Sequence, residues 1–174
     1  MTIDFEISLA DSSHISSLAK LSEKTFRDAF AQLNKKQDFE DYVANSFTEK
    51  QIRSEILDEA ATFFIAKAKD QWVGYAKLYQ GHPPDCIKEL PSVELSRLYA
   101  MQQYIGCGIG SALVKACMNF AHTKAYKSIW LGSWKKNKRG NAFYKNMQFE
   151  IAGIKTFVLG SDIQEDYVFA KSLK

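Results

Sequence analysis

The most informative segment of the chain is Tyr104-Ile105-Gly106-Cys107-Gly108-Ile109-Gly110-Ser111-Ala112-Leu113. Its glycines alternate with other residues just before a predicted helix, and glycine, having no Cβ, leaves the backbone N–H groups uncovered. Such groups at the positive end of a helix attract an anion, and a pyrophosphate is the anion we expect. The spacing is GxGxG and not the GxGxxG of dinucleotide-binding turns, and no Gly-Lys-Ser/Thr of a Walker loop follows. Taken alone, the motif leaves a glycine-rich turn without a ligand as the alternative.

Working outward from this turn, the chain alternates between strand and helix patterns. Alternating apolar residues and flanking turn residues predict strands over 3–9, 62–67, 72–79, 93–100, 128–133, 149–159 and 167–170. Helical spacing and capping residues predict helices over about 14–30, 39–44, 49–57, 109–125 and 137–146. This order predicts a single α/β domain over residues 1–174 with a mixed sheet.

The composition is typical of a globular protein, with 46% hydrophobic and 25% charged residues. No apolar run is long enough for a membrane span, and the N-terminus lacks the pattern of a secretory signal, so we expect a cytoplasmic protein. Cys86, Cys107 and Cys117 are scattered, which favours reduced thiols over a disulfide framework or a metal site. Residues 1–60 are acidic, with 7 Lys or Arg against 12 Asp or Glu, whereas the remainder of the chain is basic. The basic part suits an anionic ligand and the acidic part suits a cationic one. The alternative is that the charges are unevenly distributed over a solvated surface.

The glycine turn and the strand before it resemble motif A of the GNAT acetyltransferases, whose Gln/Arg-x-x-Gly-x-Gly/Ala loop holds the pyrophosphate of coenzyme A. Aligned on Gly108 and Gly110, the Gln/Arg position falls on Ile105, which removes a side-chain contact and keeps a backbone one. The resemblance implies the GNAT fold, a mixed and mostly antiparallel sheet splayed at its centre and flanked by helices. It also implies acetyl-CoA as co-substrate and no metal. The cofactor-binding residues implied by motif A are Leu98, Tyr99, Ala100, Ile105, Gly106, Cys107, Gly108, Ile109, Gly110 and Ser111.

Residues 137–149 are similar to motif B of the same family, Asn-x-x-Ala-x-x-Phe-Tyr followed by Gly-Phe. Gly140 stands at the alanine position and Gln148 at the glycine position. Asn137, Gly140 and Tyr144 would share one helical face, and the resemblance implies that this face contacts the cofactor. It further implies that Tyr144 donates a proton to the leaving thiolate, for which a phenol is suitable. A packed aromatic side chain is the alternative for Tyr144.

Direct acetyl transfer requires a base, and Glu94 on the strand before the glycine turn is the candidate, acting through water. A surface carboxylate paired with Arg97 or a lysine is the alternative for Glu94. An acetylated Cys107 is disfavoured because no base lies beside it in sequence. The resemblance implies that the backbone of residues 98–100 hydrogen-bonds pantetheine and the acetyl oxygen.

Two further stretches of the sequence bear on the acceptor, the amine that receives the acetyl group. The Ile129-Trp130-Leu131-Gly132-x-Trp134-x-x-Asn137 stretch and Leu95-x-Arg97-Leu98-Tyr99 resemble the bacterial polyamine branch of the family. Acidic residues that the resemblance places near the acceptor cleft would favour such a polycation: Asp28, Asp38, Glu40 and Asp41. We therefore expect a small-molecule amine as partner, without nucleic acid or membrane, and a homodimer stays open. The basic run Lys135-Lys136-x-Lys138-Arg139 suits the 3′-phosphate of coenzyme A, a nucleic acid, or solvent.

The sequence is also compatible with another acceptor and with two non-catalytic functions. The acceptor could instead be a peptide amine or an aminoglycoside. A non-catalytic acyl-CoA sensor would use the same cleft without needing Tyr144 or Glu94. A basic nucleic-acid-binding domain is the third alternative.

Overall fold

The computed structural model describes residues 3–174, and its helices and strands are interleaved along the chain. The helices are α1 (Ile15–Phe30), α2 (Lys36–Ser46), α3 (Glu49–Ile56), α4 (Ile109–Thr123) and α5 (Lys138–Asn146). The strands are β1 (Glu6–Leu9), β2 (Ala61–Ala68), β3 (Gln71–Tyr79), β4 (Ser92–Ala100), β5 (Ser128–Trp134), β6 (Glu150–Leu159) and β7 (Asp162–Ser172). Within this part of the chain, every helix is too short or too polar to cross a bilayer.

The strands form a 7-stranded sheet in the order β1-β2-β3-β4-β5-β7-β6. Neighbouring strands are antiparallel except for β4 and β5, which are parallel. The parallel pairing is short, because residues 92–94 pair with residues 128–130 and β4 then continues to Ala100 away from β5. This confirms the expected fold class, a mixed and mostly antiparallel sheet that splays at its centre between flanking helices.

Both faces of the sheet are covered by helices, since the central strands carry apolar side chains on both sides. On one face α4 buries Leu113, Val114 and Cys117 completely, as its helical apolar spacing predicts. On the opposite face α1 and α3 contribute Leu18 and Ile52, which pack in a second cluster of the core. The core is therefore divided by the sheet into two layers of helix-on-sheet packing.

A third apolar cluster joins α1 and α2 to the turn between β6 and β7. Phe26, Phe39 and Leu159 are buried in it. A hydrogen bond of 2.7 Å from the Ser161 hydroxyl to Asp38 Oδ2 fastens the turn to α2. These contacts hold α1 and α2 over the region where β4 and β5 separate.

Some element boundaries differ from the sequence prediction. The strand predicted over 3–9 forms over Glu6–Leu9, because its pairing with β2 begins at Glu6. The strand predicted over 167–170 begins earlier, at Asp162, because the hairpin with β6 closes tightly on the pair Leu159–Asp162. The helix predicted over 39–44 is longer and spans Lys36–Ser46.

Candidate active site

The glycine turn leads into α4, and the first N–H groups of this helix have no partner within it. Gly106 and Gly108 both have a φ of +87°, in the left-handed region that glycine adopts without strain. The first hydrogen bond of the helix runs from the Ala112 N–H to the Gly108 carbonyl at 3.0 Å. The N–H groups of residues 109–111 precede this bond, and no side chain of the described residues caps the helix at Gly108. This end of α4 therefore presents donors and the positive pole of the helix dipole to an anion.

A cavity of about 590 Å³, the larger cavity, lies at the glycine turn. Most of the predicted cofactor-binding residues line it, namely Leu98, Tyr99, Ala100, Ile105, Gly106, Gly108, Gly110, Ser111, Asn137, Gly140 and Tyr144. Cys107 and Ile109 are not among its lining residues. The whole of Ile109 is only 1% exposed because it packs in the core, so the structure does not place this residue in the predicted cofactor site. Lys136, Lys138 and Arg139 also line the larger cavity and add positive charge to it.

Asn137 is the N-cap of α5 and not a residue within the helix, contrary to the predicted range. Its Oδ1 accepts the Gly140 N–H at 3.0 Å. A Cβ at position 140 would lie 2.9 Å from Asn137 Cγ, so an alanine there would displace the capping side chain. Gly140 thus makes room for a cap worth about 1 kcal/mol, which offsets its poor helix propensity.

A second cavity of about 240 Å³, the smaller cavity, adjoins the first. Aromatic side chains from the helices and strands form much of its wall: Phe26, Phe30, Tyr42, Phe47, Tyr99, Trp134, Tyr144 and Phe157. Its charged lining residues are Glu94, Arg97, Lys155 and Asp166. Both cavities are lined by Phe30, Leu98, Tyr99, Asn137 and Tyr144, so they meet where β4 separates from β5.

Tyr144 lies at this junction on α5. Its ring packs against Phe143, Phe149 and Phe169, with centroid distances of 5.3, 6.0 and 5.8 Å. Burial raises the pKa of the Tyr144 phenol. The hydroxyl therefore stays protonated at neutral pH and is available as a proton or hydrogen-bond donor.

Glu94 lies on β4 at the last residue of the parallel pairing, and its side chain is 18% exposed. Its Oε1 is 3.5 Å from Lys155 Nζ, so the pairing with a lysine is formed. The alternative pairing with Arg97 is not, because Arg97 donates to Glu55 at 2.7 Å. Burial raises the pKa of Glu94 by more than Lys155 and Lys77 lower it, which makes its carboxylate a stronger base than an exposed glutamate.

Lys155 and Asp166 line the smaller cavity and were missed by the sequence analysis. They face each other as a cross-strand pair of β6 and β7. Asp166 directly precedes the residue at which the strand was predicted to begin, so an earlier start of that strand would have placed it on the sheet. Burial raises the pKa of Asp166, and the charge of Lys155 opposes this only in part.

The acidic residues expected near the acceptor do not line the smaller cavity. Asp28 lines the larger cavity and pairs with Lys24. The other three line neither cavity and have partners elsewhere: Asp38 with Ser161, Glu40 with Arg27, and Asp41 with Gln37. The carboxylates that do line the smaller cavity come from the sheet. Among residues 3–174, no group of three or more side chains is arranged to hold a metal ion.

Comparison with known proteins agrees with this geometry. Residues 18–149 match the family model described as the acetyltransferase (GNAT) family. The chain is 30% identical over 156 residues to an uncharacterized N-acetyltransferase of Mycobacterium tuberculosis, covering 90% of this chain and 96% of that relative. It is 25% identical over 153 residues to an uncharacterized N-acetyltransferase of Lactobacillus delbrueckii subsp. lactis, covering 88% of each.

Solved structures share the fold over nearly the whole chain. The PaiA N-acetyltransferase of Thermoplasma acidophilum, solved with coenzyme A, superposes with a TM-score of 0.79 at 19% identity, covering 98% of this chain and 99% of that one. The ribosomal-protein-S18-alanine N-acetyltransferase of Escherichia coli gives a TM-score of 0.72 at 14% identity, covering 98% and 95%. The family match spans most of the chain, and the uncovered N–H groups suit the diphosphate of coenzyme A. This protein therefore belongs to the GNAT family and is an acetyl-CoA-dependent N-acetyltransferase.

Proposed function

We propose that this enzyme acetylates a primary amine of a polyamine such as spermidine, by direct transfer from acetyl-CoA in a ternary complex. The observation that carries the proposal is that the two cavities adjoin and share Leu98, Tyr99 and Tyr144. A ligand in each cavity would bring its reacting end to this shared wall, so both substrates are held together. Cys107 lines neither cavity, which argues against an acetylated cysteine intermediate.

The larger cavity suits acetyl-CoA, which supplies the activated thioester. The N–H groups of Gly110 and Ser111, which line this cavity and have no partner in the helix, would hold its diphosphate. Lys136, Lys138 and Arg139 would bind further phosphate charge. The backbone of β4 beyond Glu94 has no parallel partner, so residues 98–100 can hydrogen-bond the pantetheine chain and polarise the acetyl carbonyl.

Glu94 would take the proton from the acceptor nitrogen. A primary amine is mostly an ammonium at neutral pH, and it must lose a proton before its lone pair can attack. The half-buried carboxylate in the smaller cavity has a raised pKa, so it accepts this proton directly or through one water.

Tyr144 would complete the reaction on the thiol side. As the C–S bond breaks, negative charge develops on sulfur, and a protonated phenol can donate to it. The position of Tyr144 between the two cavities suits this task, and its phenol is protonated at neutral pH.

The lining of the smaller cavity supports a long cationic acceptor. Aromatic faces attract ammonium groups and cover methylene chains. Of the charged lining residues, Arg97 is paired with Glu55 and Lys155 with Glu94, which leaves the carboxylate of Asp166 for a cation. The resemblance of residues 129–137 and 95–99 to the polyamine branch points the same way. Asp28 of α1 lines only the larger cavity, so the carboxylates of the smaller cavity come from strands of the sheet.

An acceptor screen tests the proposal by measuring thiol release from acetyl-CoA. The panel contains spermidine, spermine, an aminoglycoside and a peptide with a free N-terminal alanine, the last because of the Escherichia coli structural relative. We expect the highest kcat/KM with the polyamines. Initial rates with both substrates varied should give intersecting reciprocal plots. Turnover of the peptide or the aminoglycoside without turnover of spermidine would reject the polyamine acceptor, and parallel plots would reject the ternary complex.

A further inference from the structure

Asp166 is a buried carboxylate whose surroundings do not satisfy it. It is 7% exposed, and its Oδ1 is buried without a hydrogen-bond partner. No salt bridge or side-chain hydrogen bond connects Asp166 to any other residue in 3–174. Buried polar atoms in folded proteins nearly always have a partner, and buried carboxylates are usually paired with a cation. Asp166 lines the smaller cavity, so the missing partner can come from a ligand there.

Asp166 belongs to a row of residues on one face of the sheet. Glu94 on β4 pairs with Trp130 on β5, and Asp166 on β7 pairs with Trp134 on β5. Gly132 stands between these two β5 positions and on the same face, since side chains alternate along a strand. Because Gly132 has no side chain, β5 leaves a gap between the two carboxylates.

The end of the Lys155 side chain lies in this gap. A Cβ built on Gly132 would be 2.8 Å from Lys155 Nζ and 3.2 Å from Asp166 Oδ2. Lys155 Nζ forms its ion pair with Glu94, and it is 5.2 Å from the centroid of the Trp130 ring. The protein's own ammonium group thus shows that the gap accepts a cation, and it leaves Asp166 unpaired.

The Lys155 side chain can move out of the gap and leave room for a ligand. It lies on β6, the edge strand of the sheet, and its side chain is 30% exposed. Its four methylene groups allow the ammonium to swing towards solvent at small cost, since lysine is a flexible side chain. An incoming ammonium would then find a carboxylate on either side and aromatic rings along the wall.

We propose that Asp166 binds the second, non-reacting ammonium group of the acceptor, while the reacting amine lies beside Glu94. This inference rests on the proposed function and narrows it, because it makes two cationic nitrogens a requirement for efficient acetylation. The favoured acceptors are aliphatic diamines and polyamines, and monoamines of the same chain length are disfavoured. Asp166 is in this view a specificity-determining residue, and it takes no part in the proton transfers.

Paired substrates test the role of Asp166. We compare 1,4-diaminobutane with 1-aminobutane, which differs by one ammonium group, in the wild type, in Asp166→Asn and in the control Glu165→Gln. Glu165 is the neighbouring residue on β7, and its side chain is 64% exposed. Loss of a hydrogen bond to a charged group predicts a fall in kcat/KM for the diamine of about 10- to 100-fold, mostly in KM. For the monoamine we expect kcat/KM to change by less than about twofold in Asp166→Asn. In the control Glu165→Gln we expect equally small changes for both amines.

A second variant guards against a folding defect in Asp166→Asn. Gly132→Ala would place a methyl group against the end of Lys155 and 3.2 Å from Asp166 Oδ2, and it removes no charge. It should hold the second ammonium group away from Asp166 and weaken the diamine, whereas the monoamine in the same variant measures the effect of the displaced Lys155. Equal losses for diamine and monoamine in both variants, or a loss confined to kcat, would overturn the assignment of Asp166.

A binding measurement distinguishes a failure of the ammonium site at Asp166 from a failure of the polyamine activity. Thermal unfolding with 1,4-diaminobutane should show a diamine-dependent rise in Tm for the wild type that is absent in Asp166→Asn. If no amine is acetylated and the rise is still specific to Asp166, the polyamine activity is wrong and the ammonium site stands. If polyamines are acetylated and the wild type shows no such rise, the ammonium site is wrong and the activity stands.

Discussion

The hydroxyl group of Tyr144 is needed if this residue is a proton donor and is not needed if its ring only packs in the core. Tyr144→Phe keeps the contacts with Phe143, Phe149 and Phe169, so we expect the free energy of unfolding to stay nearly the same. Because the donor to the leaving sulfur is lost, we expect kcat to fall by about 100-fold with little change in the KM for acetyl-CoA.

Steady-state kinetics on this variant and on the control Tyr126→Phe measure the effect. Tyr126 lines neither cavity, so its variant should behave as the wild type. Unchanged kcat in Tyr144→Phe would assign Tyr144 to packing alone.

The pH profile of kcat/KM reports on Glu94. Activity requires the carboxylate form, and burial raises the pKa of Glu94 above its ordinary 4.5, so activity should fall as the pH drops through this raised value. Lys155 and Lys77 lower the pKa of Glu94, and Asp166 also faces the cavity. Lys155→Met removes one of the lowering charges, so its acidic limb should move to higher pH.

The matched control is Lys124→Met, which removes a lysine that lines neither cavity and should leave the limb in place. Glu94→Gln should lose the acidic limb and about 100-fold in kcat. An acidic limb that persists in Glu94→Gln would show that another group is the base.

At the scale of single elements, the end of α5 carries strain that glycine would relieve. Gln148 follows the helix with a φ of +63°, a conformation in which a side chain is unfavourable. Gln148→Gly should raise the free energy of unfolding by about 0.5 to 1 kcal/mol, after loss of the 3.3 Å contact between Lys171 Nζ and Gln148 Oε1. Lys171 keeps its 2.7 Å hydrogen bond to the Met147 carbonyl.

Urea unfolding compares this variant with Gln148→Ala, which loses the same contact and keeps the strain. We expect stabilisation in the glycine variant alone. A gain of equal size in both variants would mean that the side chain, and not the backbone conformation, is at fault.

Elements whose pattern lies within their own residues could be predicted, whereas elements that depend on pairing with a distant strand could not. The helix after the glycine turn was predicted with its inner face, because Leu113 and Cys117 repeat with helical spacing and both are fully buried. The strand start at Asp162 was missed, because residues 162–166 are mostly polar and enter the sheet only through pairing with β6. Asp166 was missed for the same reason.

At the scale of the whole molecule, Glu55 ties the helical layer to the sheet. Its carboxylate accepts from Arg97 at 2.7 and 3.0 Å and from Lys77 at 2.9 Å, and the three side chains are 11 to 16% exposed. Removing one partner of a buried ion cluster leaves the others uncompensated. We therefore expect Glu55→Gln to lower the free energy of unfolding by about 3 kcal/mol.

Urea unfolding of Glu55→Gln and of Glu165→Gln measures this difference. The exposed pair of Glu165 with Lys135 should contribute less than about 1 kcal/mol. Burial raises the pKa of Glu55, but Arg97, Gln51 and Lys77 together lower it more. The stabilisation by Glu55 is therefore present above its unfolded pKa and is lost as the pH falls through the lowered folded value. Equal destabilisation by both substitutions would remove Glu55 from this role.

Sequence patterns alone were enough to predict the glycine turn, the helix that follows it and the order of elements, and to name Tyr144 and Glu94 as candidates. These follow from neighbours in sequence, because helical spacing, turn chemistry and family motifs are local. Which carboxylates line the smaller cavity followed from tertiary packing. None of the four acidic residues expected there, Asp28, Asp38, Glu40 and Asp41, lines it, whereas Glu94 and Asp166 reach it from separate strands. Strand pairing brings those two to one cavity, and no local pattern records which strands will lie beside each other.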